Sequence, residues 1–113
     1  MARNFIQPGE TITMTAPYDV ASGAGILVGV TFAVALATVA AGKPVEARRV
    51  GVFDMTKAPG EAWVADTTKL YWDNTAKRVT ATATGNTLIG VARQSQASAD
   101  TVGRVLLTGQ IAA

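Results

Sequence analysis

Apolar and polar side chains alternate along much of this chain, most clearly between residues 69 and 92. The segments KLYWD and RVTATAT alternate at every second position, and a third run, TLIGVA, follows Gly85 and Asn86. Five residues of turn-like composition, DNTAK, lie between the first two runs. A period of two that is interrupted by turn residues predicts antiparallel β-strands.

The same pattern predicts strands in other parts of the chain, at residues 11–15, 26–30, 32–39, 45–55 and 104–108. Polar or glycine-rich loops separate them, including 57–68 and 94–100. About eight short strands without a convincing helix predict an all-β fold, either a small antiparallel β-barrel or a sandwich. We expect residues 1–10 to form an extended N-terminal arm and residues 11–113 to form a single β-domain.

One stretch offers an alternative, because residues 20–42 carry no charge and are numerous enough to cross a bilayer as a helix. Its nine strong hydrophobes would contribute roughly −3 to −5 kcal/mol to insertion, and the Gly, Ser and Thr residues between them offset part of that. The flanks also lack clustered basic residues and aromatic anchors. The composition therefore favours two strands joined by a bend at residues 29–31, and no membrane association.

The composition suggests a thin core and a chain that associates with others. Hydrophobic residues make up 49% of the 113 residues but aromatic residues only 6%, so most apolar side chains are small. Charged residues make up 16%, below the roughly 25% that is usual in soluble domains. A single small domain with so little surface charge is expected to bury part of its exterior against other subunits.

The charge distribution does not indicate a nucleic-acid partner. The net charge is +2, and the basic residues are spread along the chain, with Arg48-Arg49 and Lys77-Arg78 the adjacent pairs. Neighbours on a strand point to opposite faces, so neither pair forms a basic patch by itself. A nucleic-acid surface would combine clustered basic residues with stacking aromatic side chains.

Catalytic chemistry has few candidates in this sequence. The chain contains no His and no Cys, which removes the commonest general base, the thiolate nucleophile and the best transition-metal ligands. Its eight carboxylates show no cation-binding spacing and are expected to lie solvated in loops. The glycine runs at residues 23–29 and 42–43 lack the spacing of nucleotide-binding motifs. We therefore expect no enzyme activity, no cofactor and no metal site.

Three aromatic residues, Trp63, Tyr71 and Trp72, could form either a platform for a ligand or part of a packed surface. Tyr71 and Trp72 are neighbours on a predicted strand and face opposite sides, so at most one of them enters the core. Core or interface packing is the favoured interpretation, which makes Trp63 and one of the other two candidates for contact with another subunit.

Several segments together resemble one family of phage proteins. They are NFIQPGETITMTAP, GILVGVTFAVALATVAAG, GVFDMTKAPGEAWVADTTKLYWD and KRVTATATGNTLIGVA, in this order and over essentially the whole chain. The most specific parts are NFIQPG with the following TIT, KLYWD, and TGNTLIGVA. In this set the chain resembles the phage capsid cement, or decoration, proteins, a group long catalogued as a domain of unknown function.

The resemblance implies a structural virion protein that binds the outside of a phage or prophage head and stabilises it. It implies the major capsid protein as a partner, self-association as a trimer, and a location on the capsid surface after assembly in the host cytoplasm. Phe5, Ile6 and Pro8 in the predicted arm are then further candidates for contact with a neighbouring subunit or with the capsid. The alternative is a receptor- or glycan-binding module of the virion that uses the Tyr and Trp residues.

Overall fold

The computed structural model describes residues 11–109, and within them nine strands form two antiparallel sheets without any helix. The prediction of an all-β fold is confirmed. The predicted N-terminal arm, residues 1–10, lies outside the described residues. The strands are β1 Thr11–Thr15, β2 Gly25–Val28, β3 Thr31–Ala35, β4 Pro44–Arg48, β5 Val50–Thr56, β6 Lys69–Asp73, β7 Arg78–Thr80, β8 Thr87–Ala92 and β9 Val102–Thr108.

The first four strands form a sheet of their own in the order β1-β4-β3-β2. A tight turn at Gly29 and Val30 joins β2 to β3, and Gly29 adopts a positive φ of 62° that favours glycine. Leu27 pairs with Phe32 on one face of this hairpin, and Ile26 pairs with Ala33 on the other. Phe32 therefore places a large ring on one face of the hairpin, and Ala33 places only a methyl group on the other.

The remaining five strands form a sheet that curls into an incomplete barrel, called the barrel below. Their order is β5-β9-β8-β6-β7, which leaves β5 and β7 at the two edges. The edges meet where Lys57, just after β5, forms a parallel bridge with Val79 on β7. The Ala58 amide donates a hydrogen bond of 2.8 Å to the Val79 carbonyl at this junction. Contact between the edges encloses the inner face of the sheet.

The chain passes from one sheet to the other at a single residue, Arg49, which separates β4 from β5. The sequence predicts one strand over 45–55, and the structure corrects this to two strands in different sheets. The Arg49 guanidinium donates a hydrogen bond of 2.8 Å to the carbonyl of Gly109, just after β9. This bond ties the crossing point to the end of β9, an interior strand of the barrel.

Two separate groups of buried side chains result, and β3 contributes to both. Phe32 and Val34 point into the barrel, whereas Ala33 and Ala35 point to the other side of the four-stranded sheet. The barrel core consists of Phe32, Val34, Met55, Trp63, Leu70, Trp72, Val79, Ile89, Ala92, Val105 and Leu107. The small core consists of Met14, Ala16, Val20, Ile26, Ala33, Ala35, Val45 and Ala47.

Two glycines leave the space that the tryptophans of the barrel core occupy. A Cβ atom at Gly103 would lie 2.1 Å from the Trp63 ring, and one at Gly25 would lie 2.8 Å from the rings of Phe32 and Trp72. Real Cβ atoms do not approach other heavy atoms so closely, so these positions require glycine while the rings stay in place. The tryptophans and their glycines therefore form matched pairs across the fold.

The stretch considered as a membrane span, residues 20–42, forms β2, β3 and the loops around them. Within residues 11–109 there is no helix of the length and apolar character that crossing a membrane requires. The predicted bend near residues 29–31 is present, but β3 ends at Ala35 instead of continuing to Val39. Val39 pairs with Val20 in an isolated bridge, which closes a loop over the small core.

Candidate binding surface

The outer face of the barrel carries a row of apolar side chains that runs across three adjacent strands. Val52 on β5 lies opposite Leu106 on β9, and Leu106 lies opposite Val91 on β8. Directly paired residues share a face, and the residues that alternate with them, such as Val105 and Leu107, point into the barrel core. Val52 is 50% exposed. We call Val52, Leu106 and Val91 the apolar row.

Two ion pairs lie on one side of the apolar row. The Arg104 guanidinium contacts both carboxylate oxygens of Asp54, at 2.9 and 3.3 Å, and Arg93 contacts Asp66 at 2.8 Å. The hydrogen bond from Arg104 lowers the pKa of the Asp54 carboxyl, and the same bond raises the pKa of Arg104. The charges on this side neutralise one another, so the surface combines an apolar centre with a balanced polar rim, as many protein interfaces do.

A groove of about 350 Å³ continues this surface beyond Val91. No side chain can be added at Gly90, because a Cβ atom there would lie 2.0 Å from the Leu106 carbonyl oxygen. We call this groove the outer groove, and its lining residues are Asp66, Thr67, Lys69, Leu88, Gly90, Val91 and Thr108.

A bulge between β6 and β8 places Tyr71 beside this surface. The register shifts between Leu70 and Tyr71, which lets Ile89 enter the barrel core and leaves Leu88 paired with Tyr71. Leu70 and Trp72 are buried in the core, while Tyr71 is half-buried. Tyr71 and Trp72 therefore face opposite sides of the strand, as the alternation predicts.

A buried polar cluster lies where the two edges of the barrel meet. The Lys57 side chain is 1% exposed, and its ammonium donates to the carbonyls of Ala58 and Asp100 at 3.1 and 3.4 Å. The same ammonium lies 5.4 Å from the centroid of the Trp63 ring, within cation–π range. Glu61 lies close enough to Lys57 for the two charges to interact.

Glu61 accepts three hydrogen bonds in this cluster. They come from the Trp63 indole at 3.3 Å, the Ala81 amide at 2.8 Å and the Thr80 hydroxyl. Burial raises the pKa of the Glu61 carboxyl, but these hydrogen bonds and the nearby Lys57 charge outweigh burial, so its pKa lies below the ordinary value. The prediction that the carboxylates lie solvated in loops is therefore wrong for Glu61, whose carboxylate is bound within the protein. Glu61 and Lys57 are engaged in holding the barrel closed.

A smaller cavity of about 180 Å³ lies between the loop after β1 and the β6–β7 hairpin. The Tyr18 hydroxyl donates to the Gly25 carbonyl at 2.6 Å, and burial raises the pKa of this hydroxyl. The Lys77 ammonium lies 4.3 Å from the centroid of the Tyr18 ring and also donates to Asn74. These contacts join the loop to the barrel.

Residues 11–109 contain no group of three or more His, Cys, Asp or Glu side chains that could hold a metal ion. The cavities described above also lack a nucleophile aligned with a general base.

The predicted interface residues have different places in the structure. Trp63 and Trp72 are 2% and 3% exposed and both belong to the barrel core, whereas Tyr71 reaches the outer face. Phe5, Ile6 and Pro8 lie outside the described residues. The interface roles of all six residues stay predictions, and among the described ones Tyr71 alone has side-chain surface to offer a partner.

The sequence interpretation did not identify the apolar row or the buried Lys57. In both cases the sequence contains the necessary information, because inward-facing and outward-facing residues alternate along β5. Residues 51, 53 and 55 of β5 face the barrel interior, so Val52 between them must face outward and Lys57 must continue the inward series. A lysine at the end of such a series is ordinarily assigned to a loop, which conceals its burial.

Comparison with known proteins adds one match to this geometry. A family model described as phage cement protein matches residues 6–107, which include at least part of every strand. No curated protein and no solved structure matches the chain.

Proposed function

Because the chain belongs to the phage cement protein family, we propose that it binds the outer surface of a phage or prophage head and stabilises the shell. The family is one of structural virion proteins, and this chain is one of them. The observation that carries the proposal is the match over residues 6–107. We propose the corresponding location: the capsid surface of the virion, after assembly in the host cytoplasm.

The outer face of the barrel is suited to this role. Reinforcing a shell requires contact area on a rigid support, and it requires no reactive group. A large apolar side chain contributes about 1.5–3 kcal/mol when it passes from full exposure to full burial, and each residue of the apolar row contributes less because it is already partly covered. Contacts of this size are weak singly, but a protein that touches several capsid subunits at once combines them without new chemistry.

The proposed partners are the major capsid protein and further copies of this chain, assembled as a trimer. Phe5, Ile6 and Pro8 are proposed to contact a neighbouring subunit or the capsid. Deletion of residues 1–9 is expected to reduce the mass of the oligomer, the occupancy of heads, or both, as measured by sedimentation and by electron microscopy. If both quantities stayed unchanged, the contact role of these residues would be wrong.

A receptor- or glycan-binding role has little aromatic surface to use, because Tyr71 alone of the three candidate aromatic residues reaches the outer face. Such sites use exposed aromatic rings, and Trp63 and Trp72 are buried in the barrel core. Binding of the purified protein to host cells, in the absence of binding to heads, would favour that role over the proposed one.

The main test is electron microscopy of purified heads mixed with the protein, using a matched pair of variants. Val52→Asp places a charge in the apolar row, and Val64→Asp places one at a loop position of similar exposure, 56% against 50%. We expect density at symmetric capsid positions with the wild type and with Val64→Asp, and reduced density with Val52→Asp. Folded protein that leaves the heads undecorated would contradict the proposed function.

A further inference from the structure

We propose that the outer groove receives the segment Asn4–Gly9 of a second copy of this chain, with Phe5 and Ile6 as the inserted side chains. The inference rests on the proposed function, since it names the surface through which copies of the cement protein hold one another. It concerns the side of the barrel formed by β6, β8 and β9, next to the apolar row.

The groove is suited to an apolar side-chain ligand and not to an added strand. β8 has β9 on one side and β6 on the other, so its backbone hydrogen-bonding groups already have partners in the sheet. Leu88 and Val91 are half-buried and line the groove. Of its two charged residues, Asp66 is paired with Arg93 and Lys69 is exposed. An occupant therefore gains mainly from covering apolar surface.

The segment matches this environment in charge and in size. Residues 4–9, NFIQPG, carry no charge, and two large apolar side chains stand next to each other within them. The groove volume of about 350 Å³ lies near the lower end of the range of sites that hold small ligands, which suits one or two such side chains.

The position and length of the segment favour a second copy over the same chain. β1 begins at Thr11 at an edge of the four-stranded sheet, whereas the groove lies on the outer face of the barrel. Phe5 stands six residues before Thr11, and an extended segment of this length reaches about 20 Å. The described fold has a radius of gyration of 14.2 Å, so the segment is long enough to leave its own subunit and reach a neighbour.

The absence of cysteine from the chain allows a direct test by disulfide cross-linking. One chain carries Ile6→Cys and a tagged second chain carries Thr108→Cys, a near-isosteric change at the rim of the groove. The two are coexpressed, purified and oxidised, and the mixed dimer is measured on a non-reducing gel. The control replaces Thr108→Cys by Val64→Cys, which is exposed and lies outside the groove.

We expect at least about tenfold more mixed dimer with Thr108→Cys than with Val64→Cys, because a docked segment raises the effective concentration of one sulfur near the other. Equal yields would overturn the inference. So would a cross-link that forms within a single chain carrying both cysteines and not between chains.

Head binding of the same variants is measured separately, before oxidation. Decorated heads with equal cross-linking yields would overturn the groove assignment and leave the proposed function intact. Cross-linking between chains that do not bind heads would support the assignment and contradict the proposed function.

Discussion

The barrel core and the small core differ in the size of their side chains. Among the described residues, the barrel core contains both tryptophans, Phe32 and two leucines, whereas four of the eight residues of the small core are alanine. Free energy from burial scales with the apolar area removed from water, so the barrel core contributes far more stability. The four-stranded sheet therefore depends on Phe32 and Val34, through which β3 is anchored in the barrel.

The test with the largest expected effect on stability adds a side-chain atom to the barrel core. Gly103→Ala places a Cβ atom 2.1 Å from the Trp63 ring, which is too deeply buried to move aside. We expect a loss of about 3 kcal/mol or more in the free energy of unfolding, measured by urea denaturation. Val102→Ala, at the exposed neighbouring position, is the control and should change stability by less than about 0.5 kcal/mol. A Gly103→Ala protein as stable as the control would show that the core can adjust.

The second test removes a buried side chain from each core. Leu70→Ala empties part of the barrel core and Ile26→Ala part of the small core, and both side chains are fully buried. Losses of about 2–5 kcal/mol are usual for such changes, with Ile26→Ala expected at the lower end. Hydrogen exchange should show Leu70→Ala exposing amides in all strands and Ile26→Ala exposing mainly those of β1, β2 and β4. Equal acceleration in β8 and β9 by both variants would mean that the cores unfold as one unit.

The sequence predicted the fold class and most strand positions, because period-two alternation survives wherever one face of a strand is buried. It could not show where the chain changes sheets. The residues that face a core on either side of the crossing all have odd numbers: Val45, Ala47, Phe53 and Met55. Arg49, at the crossing itself, also has an odd number. The alternation therefore runs through the crossing without a change of phase, and it predicts one long strand.

The candidate binding surface could be predicted from the sequence less well than the fold. The apolar row exists only because three strands distant in sequence lie side by side, and no local pattern encodes that order. Burial of both tryptophans likewise depends on Gly25 and Gly103, which are remote in sequence from the rings they accommodate. Such pairings require the tertiary structure.

A third, smaller test concerns pH and the polar cluster that closes the barrel. The hydrogen bonds to Glu61 lower its pKa in the folded state, so they stabilise the fold above the ordinary carboxyl pKa and are lost as the pH falls through the lowered value. Glu61→Gln should cost about 1 kcal/mol at pH 7, and the difference from wild type should narrow below about pH 4.5. Thermal unfolding of wild type and Glu61→Gln between these pH values measures the difference in stability. A difference that does not vary with pH would contradict a role for the Glu61 charge.

The smallest effect is expected where the loop after β1 contacts the barrel. Lys77→Met removes the cation that lies over Tyr18 together with its hydrogen bonds to Asn74, and it keeps most of the hydrocarbon stem. We expect a loss of about 0.5–1 kcal/mol, measured by thermal unfolding, because exposed cation–π contacts are worth little more. Lys43→Met, at an exposed lysine, is the control and should leave stability unchanged. If both variants lost the same stability, the contact between Lys77 and Tyr18 would contribute nothing to holding the loop after β1 against the barrel.

The position of β9 in the barrel has a consequence for the order of events during synthesis. β9 is the last of the nine described strands to be made, yet it lies between β5 and β8 inside the sheet. The strands of the four-stranded sheet all lie within residues 11–48 and emerge from the ribosome early. In contrast, β5 cannot pair with β9 until about fifty further residues have been synthesised. Long-range pairing of this kind folds slowly. A nascent chain without β9 therefore exposes the inner face of the barrel, tryptophans included, until the final strand inserts.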